Sequence, residues 1–293
     1  FKNKRVPHPT PAEILEGLPV LTPDFVGADL EPASLRLTWL GHASVVVQMG
    51  AVCFLADPIF VDHCAPRRPP GFMKQYRRFN RAPCTAADLP PLDFVLISHN
   101  HYDHLEQATA EHNCRVPHFV PAGLGPTLRG WGVEEVHELE WWEETRLPSG
   151  VRVACLPCQH ASARVGCGPN RSLWAAWAVV GPHTSFFFGG DTGYDDQVFK
   201  HIGDKYGPFD AATIPIGAYC PRSFMRYVHC DPADAVNIHL DIKSKHSVGV
   251  HWGTFSGMGD DCWADGYELG DLAAVLLPKR ELEEEARKRG LED

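Results

Sequence analysis

The chain has 293 residues, of which 44% are hydrophobic and 22% charged. Those proportions exclude a disordered, collagenous or coiled-coil chain and suit one large domain or two fused halves. Its 27 basic residues against 37 acidic ones give a net charge of −10, which disfavours bulk nucleic-acid binding but leaves room for a local basic patch.

Residues 1–34 are rich in proline and turn formers, with one short helix expected over Ala12–Leu18, and read as an N-terminal arm. From Leu35 onward short β-rich runs recur: Leu35–Leu40, Ser44–Met49, Val52–Ala56, Phe94–Ser98, Val151–Cys155, Trp174–Val180, Ser185–Phe188, Ala211–Pro215 and Val248–Trp252. Helices are expected between and after them, over Glu106–Asn113, Leu124–Trp131, Asp195–Tyr206, Pro232–Leu240 and Glu281–Arg289. Asp231-Pro232 is a helix start, with aspartate as N-cap and proline in the first turn. Strands and helices alternate in two halves, about 35–150 and 151–275, followed by a helical tail. That order predicts a single domain over 35–293, with two sheets face to face and helices outside.

The longest apolar runs fall short of the roughly 18 residues that span a bilayer. No apolar segment follows Phe1-Lys2-Asn3-Lys4-Arg5, so no signal peptide is expected. Ten scattered cysteines suit reduced thiols. A cytoplasmic, non-secreted protein is expected. Cys155-x-x-Cys158 lies in a strand-like run without a second pair and reads as two buried small hydrophobes.

The most informative segment is Ser98-His99-Asn100-His101-Tyr102-Asp103-His104, between an apolar strand and a helical run. Imidazole nitrogen and carboxylate oxygen suit zinc, and His99 and His101 can point to one side of an extended turn. Three further candidates end apolar strands in the same way: His160, Asp191 and His251. Polar groups at strand ends can converge on one edge of a sheet. Taken singly, Asp191 is equally a turn residue or N-cap, and His160 and His251 are equally hydrogen-bonded structural histidines.

Taken together, His99-x-His101-x-Asp103-His104, His160, Asp191 and His251 resemble the metallo-β-lactamase superfamily. The blocks Trp39-Leu40-Gly41-His42-Ala43, Asp57-Pro58, Trp141-Trp142-Glu143-Glu144, Gly190-Asp191-Thr192-Gly193-Tyr194, Ile214-Pro215-Ile216-Gly217-Ala218-Tyr219 and His251-Trp252-Gly253-Thr254-Phe255 are similar to the N-acyl-phosphatidylethanolamine-hydrolysing phospholipases D. The resemblance implies an αβ/βα sandwich with two Zn2+ per chain. His99, His101 and His160 would hold one ion, Asp103, His104 and His251 the other, and Asp191 would bridge them. His42 and Asp57 are expected to orient those ligands. Water activated between the ions would attack phosphorus, releasing N-acylethanolamine and phosphatidic acid, with Asp103 and Asp191 central to catalysis. His229 matches a family position linked to substrate handling, as phosphate contact or general acid. Val228 departs from the glutamine expected beside it. The resemblance also implies a homodimer and peripheral attachment to Golgi or endosomal membranes.

Arg67, Arg68, Lys74, Arg77, Arg78 and Arg81, interleaved with Phe72, Met73, Tyr76 and Phe79, form a basic and aromatic stretch suited to a lipid surface. Arg222, Phe224, Met225, Arg226 and Tyr227 form a second, and Tyr102 and Tyr219 are expected at the substrate or membrane. The interval Leu105–Val120 is short for the family, and residues 256–270, with Asp260, Asp261 and Asp265, depart from its pattern. No G-x-S-x-G elbow supports a serine esterase. Two other readings compete: hydrolysis of another phosphodiester, a lactone or a nucleic acid on the same metals, and a non-enzymatic lipid-binding scaffold. No nucleic-acid partner is expected.

Overall fold

The structure is a computed structural model and describes residues 10–25, 31–65, 76–256 and 272–291. Helix α1 (Pro11–Gly17) opens with a reciprocal cap between Thr10 and Glu13. The first sheet holds six strands in chain order: β1 (Leu35–Gly41), β2 (Ser44–Met49), β3 (Val52–Ala56), β4 (Phe94–Leu96), β5 (His118–Pro121) and β6 (Val136–Leu139). Helices α2 (Gln107–His112) and α3 (Gly125–Gly130) follow β4 and β5. The second sheet runs β14-β13-β12-β11-β8-β7. Its members are β7 (Glu144–Arg146), β8 (Arg152–Leu156), β11 (Ala176–Val180), β12 (Ser185–Phe188), β13 (Ala211–Pro215) and β14 (His246–Val250). A small hairpin, β9 (Ala163–Arg164) with β10 (Gly168–Pro169), stands apart. Helices α4 (Asp196–Tyr206), α5 (Arg222–Met225) and α6 (Pro232–Asp241) lie within the second half, and α7 (Leu272–Val275) and α8 (Leu277–Lys288) end it.

Alternation along the strands builds three layers of core. Val45, Val47, Phe54, Phe94 and Leu96 meet Val153, Trp177, Val179, Phe186 and Phe188 between the sheets. The intervening residues face outward into helices: Val46, Leu55 and Val95 pack with Leu105, Ala110 and Leu128, while Ala154, Ala178 and Phe187 pack with Phe199, Ile202 and Ile238. Both faces of each sheet are therefore apolar, as buried sheets with helical cover require. The result is the expected αβ/βα sandwich. Cys155 and Cys158 lie in these layers, buried and unpaired, and burial pushes both thiols up.

The chain crosses from the first sheet to the second between Leu139 and Glu144, before the break expected near 150. β14 begins at His246, two residues before the expected run, because main-chain pairing with β13 enlists the polar His246-Ser247. Asp231 caps α6 through its carboxylate, and Pro232 occupies the first turn, as expected.

β1, β3 and β4 run parallel in the first sheet, as do β8, β12 and β14 in the second. His42, Asp57 and His99 follow the first three; His160, Asp191 and His251 follow the others. Every candidate ligand segment thus leaves the carboxyl end of a strand, where open α/β sheets gather their functional groups.

Candidate metal centre

The turn after β4 supplies four of the grouped residues. His99 Nε2 lies 2.7 Å from His101 Nδ1, and His160 Nε2 lies 3.2 Å from the same atom. Asp191 Oδ2 stands in the middle. It is 3.1 Å from His251 Nε2, 3.2 Å from His104 Nε2, 3.7 Å from His160 Nε2 and 3.9 Å from His99 Nε2. Asp103 Oδ2 is 3.4 Å from both His104 Nε2 and His251 Nε2. Four overlapping donor groups result, each with its donor atoms within 4.8 Å of one another: His99–His101–His160–Asp191, His42–Asp103–His104–His251, Asp57–His99–His104 and Asp191–His229–His251. Ligands around a tetrahedral zinc with bonds of about 2.0–2.1 Å sit about 3.3 Å apart, so these spacings fit.

Asp191 reaches the centre because Gly190 allows it. Gly190 has a φ of +57°, and a Cβ there would come within 2.7 Å of the Ser98 Cβ and 3.0 Å of the Ala175 carbonyl. The end of β12 can therefore pass directly beside the Ser98–His99 turn. His42 (φ +51°), Asp57 (φ +39°) and His251 (φ +62°) are also left-handed, without being glycine. Each such residue costs on the order of 1–3 kcal/mol and persists only where its surroundings fix it. The His42 amide donates to Thr254 Oγ1 at 2.6 Å, the His251 amide to the His42 carbonyl at 2.9 Å and the Asp57 amide to the Leu96 carbonyl at 3.0 Å.

A second ring of bonds sets the imidazoles. His104 Nδ1 pairs with Asp57 Oδ2 at 2.7 Å, His99 Nδ1 with Ser98 Oγ at 2.9 Å, and His160 Nδ1 with the Val228 carbonyl at 2.9 Å. Asp57 is itself held by the Ser98 amide and hydroxyl. His42 Nε2 bonds Asp103 Oδ2 at 2.8 Å. Such outer bonds turn the remaining ring nitrogens toward a shared ion.

Burial is the largest influence on every charge here. It drives His99 well below the ordinary imidazole range, lowers His42 to about 3 and His160 to about 4, and takes His229 down as well. Burial would raise Asp103 and Asp191, but His104 beside them, with His251, holds both carboxyls well below the usual carboxylate range. Against burial, Asp191 foremost pushes His104 well up and His251 up to about 9. Two carboxylates thus draw positive charge into the space between the histidines. A divalent cation meets that demand and leaves the rings neutral. His104 Nε2, His251 Nε2 and Asp191 Oδ1 are buried without a hydrogen-bond partner in the protein, as atoms reserved for an ion would be. The residues present fit a metal.

The sequence matches the Beta-lactamase superfamily domain over residues 54–252. The chain belongs to the metallo-β-lactamase superfamily. It is 38% identical to N-acyl-phosphatidylethanolamine-hydrolyzing phospholipase D 1 of Caenorhabditis elegans, over 86% of this chain and 70% of that one. It is 29% identical to the mitochondrial N-acyl-phosphatidylethanolamine-hydrolyzing phospholipase D of Saccharomyces cerevisiae, over 76% of this chain but 48% of the relative. Among solved structures, an isothiocyanate hydrolase from Delia radicum gut bacteria shares the fold at a TM-score of 0.65 and 17% identity, covering 88% of this chain and 93% of the other. Superfamily membership and the buried His/Asp cluster mark the chain as a metallo-hydrolase. The mitochondrial name of the yeast relative lends no support to a Golgi or endosomal placement. Among the described residues no helix is long and apolar enough to cross a membrane.

The superfamily core gathers His99, His101, Asp103, His104, His160, Asp191 and His251, with His42 and Asp57 against them. His229 stands at the rim, 9% exposed, its Nδ1 3.9 Å from Asp191 Oδ2. Other expected positions fall elsewhere. Arg78 is a correction: it is 7% exposed, donates to the Ile59 and Val61 carbonyls at 2.5 and 3.1 Å and stacks on Phe255, so it does not meet a lipid surface. Arg77 and Arg81 are exposed. Arg67, Arg68, Phe72, Met73 and Lys74 lie outside the described residues, as do Asp260, Asp261 and Asp265. The Tyr219 hydroxyl donates to Glu281 at 2.6 Å, and the Tyr102 hydroxyl accepts from the Val165 amide at 3.2 Å. Both are turned to neighbouring chain rather than to the ligand atoms. Ser98 and Thr254 are further supports that residue type alone does not mark: Ser98 opens the His99–His104 turn, and Thr254 falls three residues after His251.

Proposed function

We propose that the chain is a binuclear zinc phosphodiesterase of the phospholipase D type, hydrolysing N-acyl phosphatidylethanolamine to N-acylethanolamine and phosphatidic acid. The observation that carries this reading is Asp191 Oδ2, placed between two groups of nitrogen and oxygen donors so that one carboxylate serves both. The likeness to the nematode enzyme supports the substrate. Divalent ions held there would lower the pKa of water toward neutrality and offset charge developing on phosphoryl oxygens.

The chain's own residues do the rest. His99, His101 and His160 form one ligand group, and Asp103, His104 and His251 the other. His42 and Asp57 fix Asp103 and His104 respectively. His229 is kept neutral by burial at the rim, where its ring N–H can donate a hydrogen bond to a phosphoryl oxygen; acting as general acid would require it to take up a proton from the substrate complex first. The segment leading to it is seated on Gly193, where a Cβ would lie 2.7 Å from the Arg226 carbonyl. That segment also carries Phe224 and Tyr227, 73% and 61% exposed, with Arg226 over the Tyr227 ring. We place the lipid-facing surface there, with Arg77 and Arg81 as outlying cations.

The test is metal analysis joined to hydrolysis of N-acyl phosphatidylethanolamine in mixed micelles, with Asp191→Asn as control. About two zinc per wild-type chain are expected, with activity in the variant lower by on the order of a thousandfold, the equivalent of several kcal/mol of lost charge stabilisation. Full activity in Asp191→Asn, or turnover confined to lactones, would overturn the reading.

A further inference from the structure

The metal turn is gripped from outside by a residue that touches neither a ligand atom nor the cleft's metal side. Arg164, on β9, sends one guanidinium nitrogen, Nη1, to two carbonyls: Asn100 at 3.0 Å and Leu105 at 2.9 Å. Those carbonyls flank the stretch carrying His101, Asp103 and His104. The guanidinium lies 4.1 Å from the Tyr102 ring centroid and 5.2 Å from that of Trp131. Arg164 has no carboxylate partner among the described residues, so its charge meets only carbonyl dipoles and aromatic faces. An unpaired cation opposes a nearby metal electrostatically, so any gain in metal binding from Arg164 has to come from the shape it imposes on the turn.

The hairpin carrying Arg164 is fixed independently. The Asn170 amide donates to the Ser162 carbonyl at 2.6 Å and the Ser162 hydroxyl to the Ser172 carbonyl at 2.6 Å. His160 lies four residues before Arg164. One short segment therefore delivers a candidate ligand from the second half of the chain and then reaches back to brace the turn holding those of the first half. Asn100, whose carbonyl is one of the two anchors, is fully buried and its amide group has no hydrogen-bond partner in the protein, so that turn is not held by the Asn100 side chain.

We propose that Arg164 is a positioning residue that fixes the His101–His104 turn against the His160 segment and so sets metal affinity. The inference rests on the metal reading above. Arg164→Met keeps the apolar stem and removes the donors; Arg164→Lys keeps a donor but not the planar face that lies over Tyr102 and Trp131. Zinc affinity is measured by competition with a chromophoric chelator, the ligand field by the visible bands of the cobalt(II)-loaded protein, and fold by melting of the metal-free chain. Arg164→Met is expected to bind zinc 10- to 100-fold more weakly, the range seen for residues that orient ligands. Its cobalt bands should shift, its zinc affinity should fall by more than the small loss of metal-free stability from the two unpaired carbonyls, and Arg164→Lys should fall between. Unchanged affinity and bands would overturn the proposal. So would weaker binding with unshifted bands and an equal loss of metal-free stability, which marks a merely structural role. Should Arg164→Met not fold, Arg164→Lys decides by the same readouts. A wild-type chain that binds no metal overturns both readings, whereas wild-type binding with an indifferent Arg164 overturns this one alone.

Discussion

At the scale of single residues, burial separates what a side chain resembles from what it does. Arg78 sits among arginines and aromatics and looks like a surface cation, yet it closes two main-chain carbonyls beneath Phe255. Arg78→Ala should lower stability by about 1–3 kcal/mol, because the Ile59 and Val61 carbonyls lose their donor. Thermal melting of the variant checks this, and a melt equal to wild type would count against the account. His42 and Asp57 were legible because each stands alone in a short distinctive block. Arg164 was not, since its partners are carbonyls about sixty residues away and two rings from other segments. Nothing along the chain marks a carbonyl as needing a donor.

Secondary elements were legible where apolar periodicity was strong. β2, β3, β12 and β13 begin and end where the pattern places them. β5, β6 and β7 carry no such pattern: they are three or four residues long and hold His118, His137, Glu138 and Glu144. Their pairing comes from neighbouring strands rather than from their own composition. Helix α5 is four residues long, too short for any periodic signal, yet it presents the exposed Phe224. Replacing Phe224 and Tyr227 together by serine should weaken binding to phospholipid vesicles about a hundredfold or more, given roughly 1.5 kcal/mol or more per buried aromatic. Zinc content should stay as in wild type. Vesicle co-sedimentation unaffected by the pair would move the lipid surface elsewhere.

For the molecule as a whole, alternating strands and helices predicted two sheets with outer helices, and the three core layers have that arrangement. The sequence could not say which strands are neighbours, because register comes from contacts between distant segments. The convergence of His160, Asp191 and His251 on the His99–His104 turn needed the family pattern for the same reason. An ion bound by both halves favours the folded chain by mass action, about 2.7 kcal/mol at a hundredfold excess over Kd. Stripping metal with a strong chelator should therefore lower the melting temperature by about 5 °C, and added zinc should restore it. Melting curves that ignore both treatments would argue that the cluster is organised without an ion.

No cysteine enters the donor groups found among the described residues, and Cys155, Cys158 and Cys230 lie sealed in the interior. Nitrogen and oxygen donors have no counterpart to the thiolate's stepwise oxidation. Peroxide exposure that would dismantle a sulfur-ligated centre leaves this set chemically intact. Acid, by protonating the imidazoles, is the natural agent of its disassembly.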